Sequence, residues 1–280
     1  MHARWKAAGR FLWKHWPSTA LAVFALGVIM TPHALERRFV YYPDKNVAAT
    51  PSSVGLTYRD LSLETTDHVK LHGWYVPHPS STVTLLIFHG NAGNMGDRVP
   101  WMEMLHETGA GILIIDYRGY GNSEGDPHEA GLYRDAQTAH EWWRKERGHA
   151  GEKLVLVGES IGGAVAVDLA ARVPVAGLIV QSTFTNAWDV AKTILPLGLL
   201  QPLAGVHFDS AAKIAGIRCP KLFIHGSRDE IVPCRLGRKL YELSPPPKEF
   251  YEVQGAGHND LPWVAGPQYV VRIRNFLHSL

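Results

Sequence analysis

The chain has 280 residues, 46% of them hydrophobic and 19% charged, which suits one large domain with a full core and argues against disorder. Its net charge of +2 is unevenly spread: Arg4, Lys6, Arg10 and Lys14 all precede the first acid, Glu36, and setting them aside leaves 24 basic against 26 acidic residues. A body near −2 gives no footprint for nucleic acid, and no Cys/His spacing resembles a metal site.

From Trp16 to Leu35 there is no Asp, Glu, Lys or Arg, and the centre, Ala20 to Met30, is strongly apolar. At about 1.5 Å per residue, about 20 residues just reach across a bilayer core. Trp5, Trp13 and Trp16 sit on the basic side, as interfacial anchors would. A single membrane anchor, a cleaved signal peptide and a surface or buried helix are the competing readings. No small-X-small cleavage site follows, because Pro32 falls in the wrong place before Ala34, and this favours retention. The basic N-terminal side then faces the cytoplasm and the body lies on the other face. Secretion or a periplasmic location after cleavage is the alternative. The chain thus divides into a basic, apolar N-terminus (1–38) and one domain (39–280).

Phe39 to Pro43 is the expected emergence onto the body. Val54 to Leu63 and Val69 to Val76 read as two strands joined by a turn at Thr65-Thr66-Asp67. From Val83 the rhythm becomes strand–helix–strand. Strands are predicted at 85–88, 111–116, 154–157, 175–181, 222–225 and 250–253, and helices at 98–108, 132–147, 234–243 and 269–280. Together these give an α/β fold: an eight-stranded, mainly parallel sheet with helices on both faces. Sites in such sheets form at the carboxyl ends of the strands. Cys219 and Cys234 lie near opposite ends of the 222–225 strand, so free thiols are expected.

The stretch Leu154-Val155-Leu156-Val157-Gly158-Glu159-Ser160-Ile161-Gly162-Gly163 is an apolar strand running into a Gly-X-Ser-X-Gly turn, followed by a small-residue helix. In that context a serine is held out as a nucleophile, and side chains at Gly158 and Gly162 would collide across the turn. The same pattern recurs at Gly121-Asn122-Ser123-Glu124-Gly125, with no strand directly before it and no helix after. Context therefore selects Ser160 over Ser123.

A serine hydroxyl needs a base, and the base needs an acid to fix its tautomer. His258 follows the last strand in a glycine-flanked turn, and Asp229 follows the 222–225 strand, in the chain order Ser…Asp…His. His89 is the alternative base and Glu230 the alternative acid. Asp209 and Asp260 are weaker rivals that also read as a helix cap and a solvated loop charge. An oxyanion needs aimed donors. The backbone N–H of Ile161 is one candidate, and Asn91, in the glycine-rich loop His89 to Asn94, is the other. Asp116 to Gly121 reads as a scaffold for neighbouring loops.

With these residues in view, the chain resembles the α/β-hydrolase superfamily, in particular the membrane-anchored serine hydrolases of the α/β-hydrolase domain-containing protein 13 type. The resemblance rests on His89–Asn94, Asp116–Gly125, Gly158–Gly163, Ser227–Pro233 and Gly257–Asp260, and covers roughly residues 40–280. It implies a triad of Ser160, Asp229 and His258. It also implies a cofactor-free hydrolase acting on a small-molecule ester, thioester or amide through an acyl-enzyme. Relatives of this kind include lipases, depalmitoylases and peptidases, so the substrate stays open. A serine peptidase and a non-catalytic receptor or scaffold are the alternatives. Insertions at 183–218 in this fold usually form a lid. Here that stretch is dense in apolar residues, and Phe184, Trp188, Leu195 and Leu199 are its substrate-binding candidates. Plain helix packing onto the sheet is the competing reading.

Overall fold

The computed structural model describes residues 40–79, 81–148, 151–194 and 205–280. The expected anchor, Leu195 and Leu199 lie outside them.

Eight strands form one sheet: β1 (Arg59–Glu64), β2 (Lys70–Val76), β3 (Val83–Phe88), β4 (Gly111–Ile115), β5 (Lys153–Glu159), β6 (Gly177–Gln181), β7 (Lys221–Gly226) and β8 (Lys248–Val253). Their order is β8-β7-β6-β5-β3-β4-β2-β1. Only β2 runs against the rest, pairing antiparallel with both β1 and β4. The central strands carry unbroken apolar runs because both faces are covered. Leu85, Leu86, Ile87, Ile112, Leu113, Ile114, Val155, Leu156 and Val157 are all 0% exposed. Burying each such side chain contributes about 1.5–3 kcal/mol.

Among the described residues, eight helices flank the sheet: α1 (Val99–His106), α2 (Glu129–Glu146), α3 (Ile161–Ala170), α4 (Ala187–Ile194), α5 (Ser210–Ile214), α6 (Cys234–Leu243), α7 (Leu261–Ala265) and α8 (Pro267–His278). One apolar core joins the sheet to α2, α3, α5 and α6 and contains Phe184. A second, on the other face, joins it to α1 and α8. Strand alternation sorts residues between the two: Leu86 and Leu156 enter the first, Leu85 and Val155 the second.

Two local outcomes differ from the sequence reading. The first strand begins at Arg59 rather than Val54, because Pro51 opens a 3-10 turn (Pro51–Val54) that Gly55 closes with a left-handed φ of 78°. The segment after residue 39 does more than emerge. Tyr42–Pro43 pairs in parallel with Ala92–Gly93, in the loop after β3. Buried Asn94 donates to the carbonyls of Asp44 and Asn46, fastening that loop to the segment.

Candidate active site

Ser160 ends β5 and opens α3 with φ 54° and ψ −118°, a strained backbone for a non-glycine residue. Three packed glycines hold it there. A Cβ on Gly158 would lie 2.4 Å from the Gly162 carbonyl oxygen. One on Gly162 would lie 2.0 Å from that of Phe88, and one on Gly163 would lie 2.4 Å from Thr183 Oγ1. The first turn of α3 is therefore pressed against the end of β3. Ser160 N–H donates to the Gln181 carbonyl at 2.9 Å, and Thr183 Oγ1 donates to the Ser160 carbonyl at 2.8 Å.

Ser160, Asp229 and His258 come together from the ends of β5, β7 and β8. Nε2 of His258 is 3.1 Å from Ser160 Oγ, and Nδ1 is 2.8 and 3.0 Å from the two Asp229 oxygens. Asp229 is 6% exposed, and its Oδ1 also accepts from the N–H groups of Ile231 and Val232. Burial alone would raise its carboxyl. Hydrogen bonds from His225, His258 and Val232, together with the positive charge His258 takes on when protonated, outweigh burial and hold it well below the usual carboxylate range. An ionised Asp229 only accepts, so Nδ1 of His258 carries the proton and Nε2 is left bare toward the Ser160 hydroxyl. This arrangement can draw the proton from Ser160 and later return it to a departing group.

The alternatives go elsewhere. His89 is fully buried. Its Nδ1 donates to the Gly90 carbonyl at 2.7 Å, and its ring lies 4.5 and 5.3 Å from those of Tyr117 and Tyr120. Ser123, 2% exposed, donates to the Asp116 carbonyl and accepts from His72 N–H, so it ties β2 to the loop after β4. Asp209 caps α5 through Ala212 N–H, and Asp260 accepts from Gly257 N–H. Glu230 is exposed. The loop after β4 is a scaffold: Asp116 accepts from Met95 N–H, and Arg118 forks onto Asp135 and Asp67.

The Asn91 side chain donates to the Val40 carbonyl and accepts from Tyr120 OH, so it braces the loop after β3. Among the described residues, the backbone N–H groups of Asn91 and Ile161 have no protein acceptor. Phe184 is buried in the core against α3, and Trp188 is half-buried with Lys192 Nζ 5.3 Å above its ring. No cluster of His, Cys, Asp or Glu that could hold a metal occurs among the described residues.

Several site residues carried no sequence signal. His225, 1% exposed, donates to the Val232 carbonyl at 2.8 Å and lies 3.3 Å from Asp229 Oδ2, so it buttresses the acid. A cleft of about 440 Å³ has Arg98, Glu159, Gln181 and Asn259 in its walls. Glu159 precedes Ser160 and Asn259 follows His258, so only their chain position could have pointed to them.

Comparison with known proteins places this geometry in a family. A family model described as "Serine aminopeptidase, S33" matches residues 79–212. An uncharacterized membrane protein of Saccharomyces cerevisiae is 34% identical over 285 residues, covering 98% of this chain and 97% of its own. The alpha/beta hydrolase domain-containing protein WAV2 of Arabidopsis thaliana is 32% identical, covering 83% of this chain and 84% of its own. Among solved structures, an esterase of Pyrococcus furiosus superposes with a TM-score of 0.74 at 22% identity, covering 86% of this chain and 97% of that one. The chain belongs to the α/β-hydrolase superfamily and is a hydrolase of that fold.

Proposed function

We propose that the protein is a serine hydrolase that cleaves a carboxylic ester or thioester through an acyl-enzyme. The observation that carries this reading is the unbroken chain from Ser160 Oγ through His258 to Asp229, at 3.1 and 2.8 Å. Nε2 of His258 takes the hydroxyl proton as Ser160 Oγ attacks the carbonyl carbon. The N–H groups of Ile161 and Asn91 receive the oxyanion. The bond to the leaving group breaks, and that group departs with the proton from His258. Water then attacks the acyl-enzyme, giving its proton to His258, and Ser160 regains a proton as the acid leaves. The apolar composition of the stretch 183–218 suits an acyl chain.

The test is Ser160→Ala. It should abolish labelling by a fluorophosphonate and lower kcat on a p-nitrophenyl ester by about 10³-fold or more. Labelling that persists at another serine refutes the assignment.

A serine peptidase is the second reading, favoured by the description of the matching family. Aminoacyl-arylamides compared with acyl esters of the same acid separate the two.

We also propose a single N-terminal membrane anchor, with the hydrolase domain on the non-cytoplasmic side. The uncharged stretch from Trp16 to Leu35 supports it, as does the naming of the yeast relative as a membrane protein. Among the described residues no helix is long and apolar enough to cross a membrane. Extraction by carbonate alone would refute the anchor.

A further inference from the structure

The sheet fixes where the N-terminal stretch joins the body. The Val40 carbonyl accepts from the Asn91 side chain, Tyr42–Pro43 pairs with Ala92–Gly93, and Asp44 N–H donates to the Gly93 carbonyl at 3.1 Å. Asn94 Nδ2 donates to the Asp44 and Asn46 carbonyls at 3.2 and 2.8 Å, and Gly121 N–H donates to the Asp44 carbonyl at 2.9 Å. The loop that holds Val40 follows β3, which lies between β4 and β5 in the interior of the sheet. The junction is therefore held over the middle of the sheet's carboxyl edge, at the strand next to the one that ends in Ser160.

The reach from there is short. Leu35, the last residue of the uncharged stretch, is five positions before Val40. Fully extended, that span is at most about 18 Å. A headgroup layer takes up about 5–8 Å of it. With Leu35 at the boundary of the hydrocarbon, Val40 stands no more than about 13 Å beyond the headgroups. A body of this size is about 45 Å across. A tether that short, joined near the middle of one edge, turns that edge toward the bilayer.

The same edge carries side chains suited to the contact. Tyr42 is 57% exposed and Trp263 54% exposed, and Ile231 and Val264 are exposed as well. Ile231 lies in the loop after β7, and Trp263 and Val264 lie on α7, after β8. Trp263 shares the walls of one cleft with Ala92 and Gly93, which pair with Tyr42–Pro43, so the two exposed aromatic residues flank one part of the rim. Tyrosine and tryptophan settle at the headgroup level, where the ring is shielded from water and its polar tip stays wet. On these loops the exposed acids Asp44, Asp97, Glu230 and Asp260 outnumber the exposed bases Lys45 and Arg228, which gives no pull toward anionic lipid. The occupant that fits is a neutral phospholipid surface.

We propose that the carboxyl edge of the sheet is a membrane-docking surface, with Tyr42, Ile231, Trp263 and Val264 resting at the headgroup level of the bilayer that holds the N-terminal stretch. The proposal rests on the anchor reading above and adds the face that the body turns to the membrane.

The test uses the full-length protein in phosphatidylcholine vesicles, with Cys219 and Cys234 replaced by alanine. An environment-sensitive fluorophore is attached at Ile231→Cys, Trp263→Cys or Val264→Cys, and for comparison at Ala215→Cys. Ala215 is exposed and lies between α5 and β7, on the opposite edge. Emission from the edge positions should shift to the blue and be lost when the lipid carries a nitroxide near its headgroup, with neither change at Ala215→Cys. Equal behaviour at all positions, or quenching at Ala215→Cys alone, overturns the orientation. So does edge emission that is quenched by a nitroxide-labelled second copy of the chain and not by labelled lipid. If the cysteine-free chain does not fold, hydroxyl-radical footprinting of the unaltered protein in the same vesicles takes its place. Tyr42 and Trp263 should then be protected and Leu243, exposed at the far end of α6, modified; modification of all of them overturns the orientation. Carbonate extraction of the same vesicles separates the two readings. Release of the chain overturns the anchor and the orientation together, whereas retention without quenching or protection at the edge overturns the orientation alone.

Discussion

Replacing Gly162 by alanine tests how the elbow transmits packing to chemistry. The new Cβ would sit 2.0 Å from the Phe88 carbonyl oxygen and 2.6 Å from that of His89, where real contacts essentially never fall below 3.0 Å. Both obstacles are backbone atoms, so no side chain can swing away. Strand β3 is hydrogen-bonded on both sides, to β4 and β5, and cannot retreat. The first turn of α3 must therefore move by about 1 Å, carrying the Ile161 N–H with it. Adding that to a hydrogen bond of about 2.9 Å takes it beyond useful range. Loss of one oxyanion donor costs about 10²–10³ in kcat. Overpacking of this kind costs about 1–3 kcal/mol in stability. The measurements are kcat on a p-nitrophenyl ester and the denaturant midpoint, with Gly216→Ala as the control, since its nearest atom would be 3.5 Å away. Unchanged kcat with an unchanged midpoint would show that the elbow is not held by this contact.

Two further outcomes follow from buried groups. Ser123→Ala removes the hydroxyl that joins His72 N–H to the Asp116 carbonyl. It should lower stability by about 1–3 kcal/mol and leave fluorophosphonate labelling intact, whereas lost labelling with full stability would make Ser123 the nucleophile. The Asp229 carboxyl sits well below its ordinary value, so its stabilisation is full above the unfolded value of about 3.9 and is lost as pH falls through the folded value. Denaturant midpoints measured from about pH 5 to pH 2 should therefore fall more steeply for the natural chain than for Asp229→Asn. Parallel slopes would mean that the contacts of Asp229 do not favour its charge.

Much of the fold was legible because its signals are local. The apolar runs at 85–88, 111–116 and 154–157 can only be strands covered on both faces, and each became one. Hydrophobic alternation places the beginning of β1 too early, because it does not reveal the turn that Pro51 and Gly55 close. The nucleophile candidate was legible from a strand on one side and a helix on the other. Its partners followed from chain order on later strand ends. The position of Asn91 in its loop marks it in the sequence, but only the fold makes its side chain brace that loop against Val40 and Tyr120 while its backbone N–H stays without an acceptor among the described residues.

The amino-acid sequence by itself determined the strand–elbow–helix unit around Ser160, because sharp turns, buried strands and small-residue helices each demand particular residue types over a few consecutive positions. It also determined the uncharged N-terminal stretch, whose meaning depends on composition alone. Only the tertiary structure decided what surrounds Ser160. Gln181, Glu159, Arg98 and Asn259 come from four separate segments and carry no shared spacing, so their meeting is a property of the sheet order. The same holds for His225 behind Asp229, and for the hydrogen bonds that join Trp101, Tyr269 and Gln181. Hydrogen-bond donors and acceptors become orphaned or satisfied only when distant parts of the chain are packed together.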